Sequence, residues 1–376
     1  MKSLTELKDI KGKRVFYHPD YSVPMADGEI KDDYRILVSF PSLDYLMEQG
    51  AKIILGTKMG DPKGQYVAEL ALDPVAEYLA DHYTTHAVWI SSEIEHEEVT
   101  KAIAGMAEGD ILILPNLRFY PGEQAVDVAF AKKLAALADV YVNDAFSVDH
   151  RADASLVALP ALLPHYAGIQ LEKEVTTLGN LFKEPAHPFV VVMGGAKVSD
   201  KIEVISRLAA VADHILIGGA MANTFLLAKG EMIGDSLAET DKVDVAKKLM
   251  EDFGDKLVLA ADYVKDDEAN TEHFKYLDIG EKAVAEFATY LKEAKTIFWN
   301  GSLGYTEDPK FAKASQAIAE LIGSFPGVTS IVAGGDTVEM ITQLKMHDKF
   351  TFVSTGGGAA LEFLEGVELP GVKALE

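Results

Sequence analysis

Three apolar runs in the second half of the chain end in glycines and then enter a helical pattern: Gly194-Gly-Ala-Lys197-Val-Ser-Asp-Lys201, Gly334-Gly-Asp336-Thr337 and Ser354-Thr-Gly356-Gly-Gly358-Ala. Such turns leave backbone N–H groups unpaired at the carboxyl end of a strand, where open α/β sheets bind ligands, and a helix N-terminus there favours phosphate. One glycine turn alone serves equally well as a tight connection; three in one half point to an anion site. The G-x-G-x-x-G fingerprint and the P-loop pattern are both absent, so the site is of another kind. Lys197 and Lys201 are four residues apart and share a face if the helix has begun, which suits a polyphosphate, although two solvated lysines would read the same way. Asp336 is either a helix N-cap or the single carboxylate that a phosphate-bound Mg²⁺ requires. A fourth glycine loop, Asn300-Gly-Ser-Leu-Gly-Tyr-Thr-Glu307, ends in a glutamate that could hold a ribose or simply face water.

The first half carries its candidates as arginines. Arg35, Arg118 and Arg151 each lie beside a predicted strand, and a guanidinium fork matches carboxylate and phosphate. Each alone could be a surface ion pair. Two contexts favour a site: Asn143-Asp-Ala-Phe-Ser-Val-Asp-His150-Arg151 is a polar loop after a buried strand, and Asn116-Leu-Arg118-Phe holds the matching position after the run 111–114.

These side chains need a frame to hold them. Short β-branched runs at 15–17, 53–55, 87–90, 111–114 and 140–142 read as buried strands, and 127–138 as an amphipathic helix with Phe130, Leu134 and Leu137 on one face. The alternation restarts at 189–193, 215–217, 257–259, 297–299, 331–333 and 351–353. The expected fold is therefore α/β, with two domains, each a doubly wound, mostly parallel sheet. The expected boundaries are 1–168 for the first domain, 169–187 for a connecting helix and hinge, 188–365 for the second domain and 366–376 for a tail.

With 376 residues and 48% hydrophobic content the chain can bury two cores. A net charge of −24 speaks against nucleic-acid and anionic-membrane partners, and forces any anion site to gather its few cations in one place. The sequence has no cysteine, no leader-like start and no stretch near the roughly 18 apolar residues that span a bilayer, so a cytoplasmic protein is expected.

Taken together, GGAKVSDK, FWNG, GGDT, STGGGAALEFLEG, LPGVKAL, NLRF and VNDAF followed by HRA resemble phosphoglycerate kinase over essentially the whole chain. The resemblance implies two Rossmann-like domains joined by a helix, an acid-substrate first domain, a nucleotide-binding second domain, hinge closure, a tail packed on the first domain, and a monomer. It implies ATP or ADP as co-substrate, with Mg²⁺ on Asp336. Asp20, Ser22, Arg35, Lys58, Asp61, Arg118, His150 and Arg151 would form the 3-phosphoglycerate site. Gly195, Ala196, Lys197, Lys201, Gly218, Gly219, Asn300, Gly301, Glu307, Gly334, Gly335, Asp336 and Thr337 would form the nucleotide site. Arg35, Lys197, Gly335 and Gly357 would be catalytic.

The departures from the family fall on the acid side. His18-Pro-Asp20-Tyr-Ser22-Val-Pro24 stands where the family reads R-V-D-F-N-V-P, and Thr57-Lys58-Met-Gly-Asp61-Pro62 where it reads S-H-L-G-R-P. A histidine thus becomes Lys58 and an arginine becomes Asp61; one lost charge-assisted contact of ~1.5–3 kcal/mol weakens binding roughly tenfold to a hundredfold. Lys58 or Lys63 could pair with Asp61. Ser147-Val-Asp149 replaces Gly-Thr-Ala, and Ser302 replaces a proline. The leading expectation is an active phosphoglycerate kinase; the alternatives are a kinase for a related carboxylic acid and a catalytically silent nucleotide-binding relative.

Overall fold

The computed structural model describes residues 1–94 and 97–376. It divides into two compact units, Met1–Thr176 with Val367–Glu376, and Thr177–Gly366. The helix Ile169–Asn180 runs through the division, so the boundary lies inside a helix.

In the first unit β1 (Arg14–Pro19) is followed by a small hairpin, β2 (Met25–Ala26) and β3 (Glu29–Ile30), and then by β4 (Lys52–Leu55), β5 (Val88–Ile90), β6 (Ile111–Ile113), β7 (Val140–Asp144) and β8 (His165–Ala167). The six longer-range strands form one parallel sheet in the order β5-β6-β4-β1-β7-β8. β6 and β7 are buried along their whole length, as strands covered on both faces must be. Asp127 caps the helix Val128–Ala135 by accepting from Ala129 N at 2.7 Å, so that helix is shorter at both ends than the apolar spacing suggests.

In the second unit β9 (Phe189–Met193), β10 (His214–Ile217) and β11 (Leu257–Leu259) precede an antiparallel pair, β12 (Tyr263–Lys265) and β13 (Tyr276–Ile279). β14 (Thr296–Asn300), β15 (Thr329–Ala333) and β16 (Phe352–Val353) complete a parallel sheet ordered β11-β10-β9-β14-β15-β16. Leaving the pair β12–β13 aside, this is the 3-2-1-4-5-6 order of dinucleotide-binding folds, reached without their glycine fingerprint. The hairpin β2–β3, the pair β12–β13 and the edge strand β8 have no signal in the apolar pattern, because two- to four-residue, half-buried strands carry too little alternation to read.

Parallel pairing sends the loops after β1, β4, β6 and β7 to one edge of the first sheet, and those after β9, β10, β14, β15 and β16 to one edge of the second. The side of the sheet on which successive strands are added switches between β1 and β7, and between β9 and β14; each gap is a topological switch point where loops part and a ligand can enter.

Candidate active site

At the first switch point Asp20, just past β1, accepts from the Arg35 guanidinium and from Ser147 Oγ, while Ser22 N donates to its other oxygen at 2.9 Å. Arg35 also reaches Ser147 Oγ at 3.4 Å. Burial works to raise the Asp20 pKa, but Arg35, Ser147 and Ser22 outweigh it and hold the carboxyl below its ordinary range. The carboxylate therefore fixes one end of Arg35, which is itself only half-buried. Ser147 emerges as a site residue that the family comparison marked merely as a departure; its position after a buried strand was the available signal.

Arg118 sits in a single tight turn, Leu117–Phe119, capped by Asn116 Oδ1, which accepts from Arg118 N at 3.1 Å. Arg118 Nη1 donates to Gly60 O, and its Nε is buried without a hydrogen-bond partner among the described residues. Arg151 is exposed and His150 half-buried on the loop after β7. Asp61 is exposed.

Two expectations are corrected here. Lys58 pairs with Asp153 at 3.0 Å and Glu123 at 3.4 Å instead of with Asp61, and is 1% exposed, because two buried carboxylates draw its ammonium inward. Ser22 Oγ is committed to Lys58 O at 2.9 Å. Asp149, beside His150, is fully buried; Asn143 Nδ2 donates to it at 2.8 Å, its second oxygen has no hydrogen-bond partner among the described residues, and burial pushes its pKa up to about 7. His18, buried beneath Lys58 and Arg118, is held well below the usual histidine range, first by burial and then by those two cations, so it is neutral.

At the second switch point the expected lysine pair separates. The helix begins only at Ile202, so Lys197 stands exposed in the glycine loop while Lys201, at the cap position, turns inward. Lys201 Nζ donates to Gly194 O at 2.7 Å and to Asn300 Oδ1 at 2.6 Å, tying the turn after β9 to the end of β14. Burial lowers its pKa to about 8, against the pull of Asp336 and Asp200.

The glycines divide into two groups. A Cβ on Gly194 would meet Ser302 O at 2.0 Å, on Gly219 Gly195 N at 2.6 Å, on Gly218 Leu303 at 2.7 Å and on Gly301 Gly194 O at 2.3 Å, so these four allow turns to pack on one another. A Cβ on Gly335 or Gly357 would meet nothing within 4 Å, so these two face open space. Thr337 Oγ1 accepts from Gly301 N at 2.7 Å and is thereby spent inside the protein. Asp336 is not an N-cap: Gly334 holds that position, and Asp336 stands exposed in the first turn of the helix Gly335–Gln343 without a hydrogen-bond partner among the described residues.

A cleft of 460 Å³ runs from Gly195, Ala196 and Asp336 to Glu307 and on to Leu237, Tyr276, Leu277 and Tyr305. Its lining combines glycine-rich loop backbone and charged side chains with Leu237, Tyr276, Leu277 and Tyr305, a mixture suited to a phosphate-bearing molecule with a flat ring. The apolar wall carries no local motif and was not anticipated. No group of three or more histidine and acidic side chains able to hold a metal occurs among the described residues.

A family model described as phosphoglycerate kinase matches residues 4–367. The phosphoglycerate kinase of Fervidobacterium nodosum is 44% identical over 386 residues, covering 98% of this chain and 96% of its own; that of Dictyoglomus turgidum is 44% identical over 393 residues, covering 100% and 99%. The solved phosphoglycerate kinase of Coxiella burnetii superposes with a TM-score of 0.86 at 33% identity, covering 99% of this chain and 98% of its own.

Proposed function

The chain belongs to the phosphoglycerate kinase family, and on that premise we propose how its own residues perform the reversible phosphoryl transfer between 1,3-bisphosphoglycerate with ADP and 3-phosphoglycerate with ATP. The enzyme is a phosphotransferase with a carboxyl acceptor. Phosphoryl transfer asks a protein for in-line positioning and for positive charge spread around the moving group, and a carboxylate nucleophile needs no general base.

On the first unit, Arg118 and Arg151, with His150 beside them, bind the phosphorylated acid, and Asp20 orients it. Arg35 follows the transferring phosphoryl group. The observation that carries this reading is the grip of Asp20 and Ser147 on the Arg35 guanidinium at the switch point: it holds one edge of the fork and leaves the rest half-exposed, preorganised for charge that develops in transfer. On the second unit, Gly195, Ala196 and the open starts of the helices Gly335–Gln343 and Gly358–Glu365 receive phosphates. Lys197 adds a mobile charge, Glu307 accepts from the ribose, and the Leu237, Tyr276 and Leu277 wall covers the base. Asp336 is the residue free to hold Mg²⁺, which when bound would offset phosphate charge. Lys201 acts from within, by holding the turns after β9 and β14 together. The helix Ile169–Asn180 is the element on which closure turns. Family membership also supports a monomeric, cytoplasmic enzyme.

The test is a coupled assay in both directions, with MgATP plus 3-phosphoglycerate and with MgADP plus 1,3-bisphosphoglycerate, run beside an Asp61→Arg variant. Turnover by the unmodified chain is expected. Tight MgADP binding without turnover would overturn the assignment, and rescue by Asp61→Arg would trace the fault to the acid site.

A further inference from the structure

The ammonium of Lys58 is sealed from solvent between two carboxylates that come from different loops. Glu123 lies on the short helix Pro121–Gln124, directly after the Arg118 turn, and Asp153 lies two residues beyond Arg151. Glu123 is held in turn by Ser155, whose N and Oγ donate to it at 3.0 and 2.5 Å. The loop that carries Lys58 is also stitched to the Arg118 turn: Asn116 donates to Met59 O at 2.8 Å and accepts from Met59 N at 3.1 Å, and Arg118 donates to Gly60 O. Three loops at one sheet edge therefore meet on a single ammonium.

A lysine that binds a substrate phosphate must be open to solvent and must hold its charge in reserve. Lys58 meets neither condition. Two acids already outnumber its charge, and turning outward would strand both of them, buried and unpaired, which is the costly way to break an internal ion pair.

We propose that Lys58 is a positioning residue: it ties the loop after β4 to the loops bearing Arg118 and Arg151, sets where those two guanidinia stand, and does not touch the substrate. The proposal rests on the reading that Arg118 and Arg151 hold the acid.

Two experiments test it. In acylation footprinting of the unmodified protein, read by mass spectrometry, Lys58 is expected to stay unlabelled with and without 3-phosphoglycerate. Labelling of the free protein that 3-phosphoglycerate suppresses would overturn the proposal. Calorimetric titration with 3-phosphoglycerate then compares Lys58→Met with Lys58→Met/Asp153→Asn. The single change should lower Tm and weaken binding by roughly tenfold or more, and the double change, which removes one stranded charge, should recover most of both losses, a coupling that neighbours in one ion-pair network show. A double variant with recovered Tm that binds as weakly as the single one would mean that a direct phosphate contact was lost. Should neither variant fold, the footprint decides alone. Arg118→Ala separates the two readings: unchanged 3-phosphoglycerate affinity in that variant overturns the acid-site assignment and leaves the footprint untouched.

Discussion

At the scale of single residues, the acid side of this enzyme is governed by which carboxylates are paired. Arg35 is fixed by Asp20 and Ser147, a hold that on the proposed reading makes its planar fork, more than its charge, what transfer depends on. Arg35→Lys should fold normally and bind MgADP as before, yet lose roughly 10²- to 10³-fold in kcat, as loss of a preorganised donor does; steady-state kinetics beside nucleotide titration will check it. Asp149 is the opposite case, a carboxylate with one oxygen held by Asn143 and the other without a hydrogen-bond partner among the described residues. Burial raises its pKa from 3.8 to about 7, with Asp144 adding to the rise and Asn143 and Lys58 opposing it. Between those two pH values the folded protein binds more protons at this group than the unfolded chain does. The group's contribution therefore favours folding below about pH 4 and fades as pH climbs to 7. Asp149→Asn should be close to neutral at pH 4.5 and stabilising by roughly 1–3 kcal/mol at pH 8; Tm measured across that range tests both the sign and the window.

At the scale of elements, the glycine-rich turns do two different jobs that look alike on paper. Gly301 has a φ of +91° and packs its backbone against that of Gly194, so Gly301→Ala should cost about 3 kcal/mol and disturb the whole phosphate edge. Gly335 opens a helix into empty space, so Gly335→Ala should leave Tm within a degree or raise it slightly. Because the new methyl group stands where phosphate approaches, MgADP affinity should fall about tenfold. Calorimetric scanning and MgADP titration of the two variants side by side distinguish a turn-packing glycine from a ligand-facing one. The order of the sheets explains why Lys201 belongs with the first kind: it spans the gap between β9 and β14, a gap that exists only once the sheet is assembled.

At the scale of the molecule, the first unit is closed by the last residues of the chain. Gly371 N donates to Asp149 O at 2.9 Å, a Cβ on Gly371 would stand 2.1 Å from Asp149 Oδ1, and Leu369 and Leu375 are buried. Ending the chain at Gly366 should therefore destabilise the first unit by about 3–6 kcal/mol, the worth of two buried leucines, and leave the second unit's transition where it was. Differential scanning calorimetry should show one transition move and the other stay. The same truncation opens Asp149 to water, so its pKa should fall and the pH dependence of Asp149→Asn should vanish in the shortened chain.

What the sequence by itself determined was the frame and the chemistry it could host. Continuous apolar runs announced two parallel sheets, because strands buried on both faces must be apolar throughout. Glycine turns after strands pointed to a phosphate edge as an expectation, and the scarcity of arginine in an acidic chain made Arg35, Arg118 and Arg151 candidates. What only the tertiary structure decided was direction and partnership. Lys58 and Lys201 read as ligand-facing cations, yet each turns inward: the carboxylates that capture Lys58 lie 65 and 95 residues away, and Lys201 is held by the nearby Gly194 carbonyl together with Asn300, 99 residues away. Strand order, and not chain order, sets which loops adjoin, and a buried charge must find its partner there; that is why neither lysine's role can be read from its neighbours in sequence.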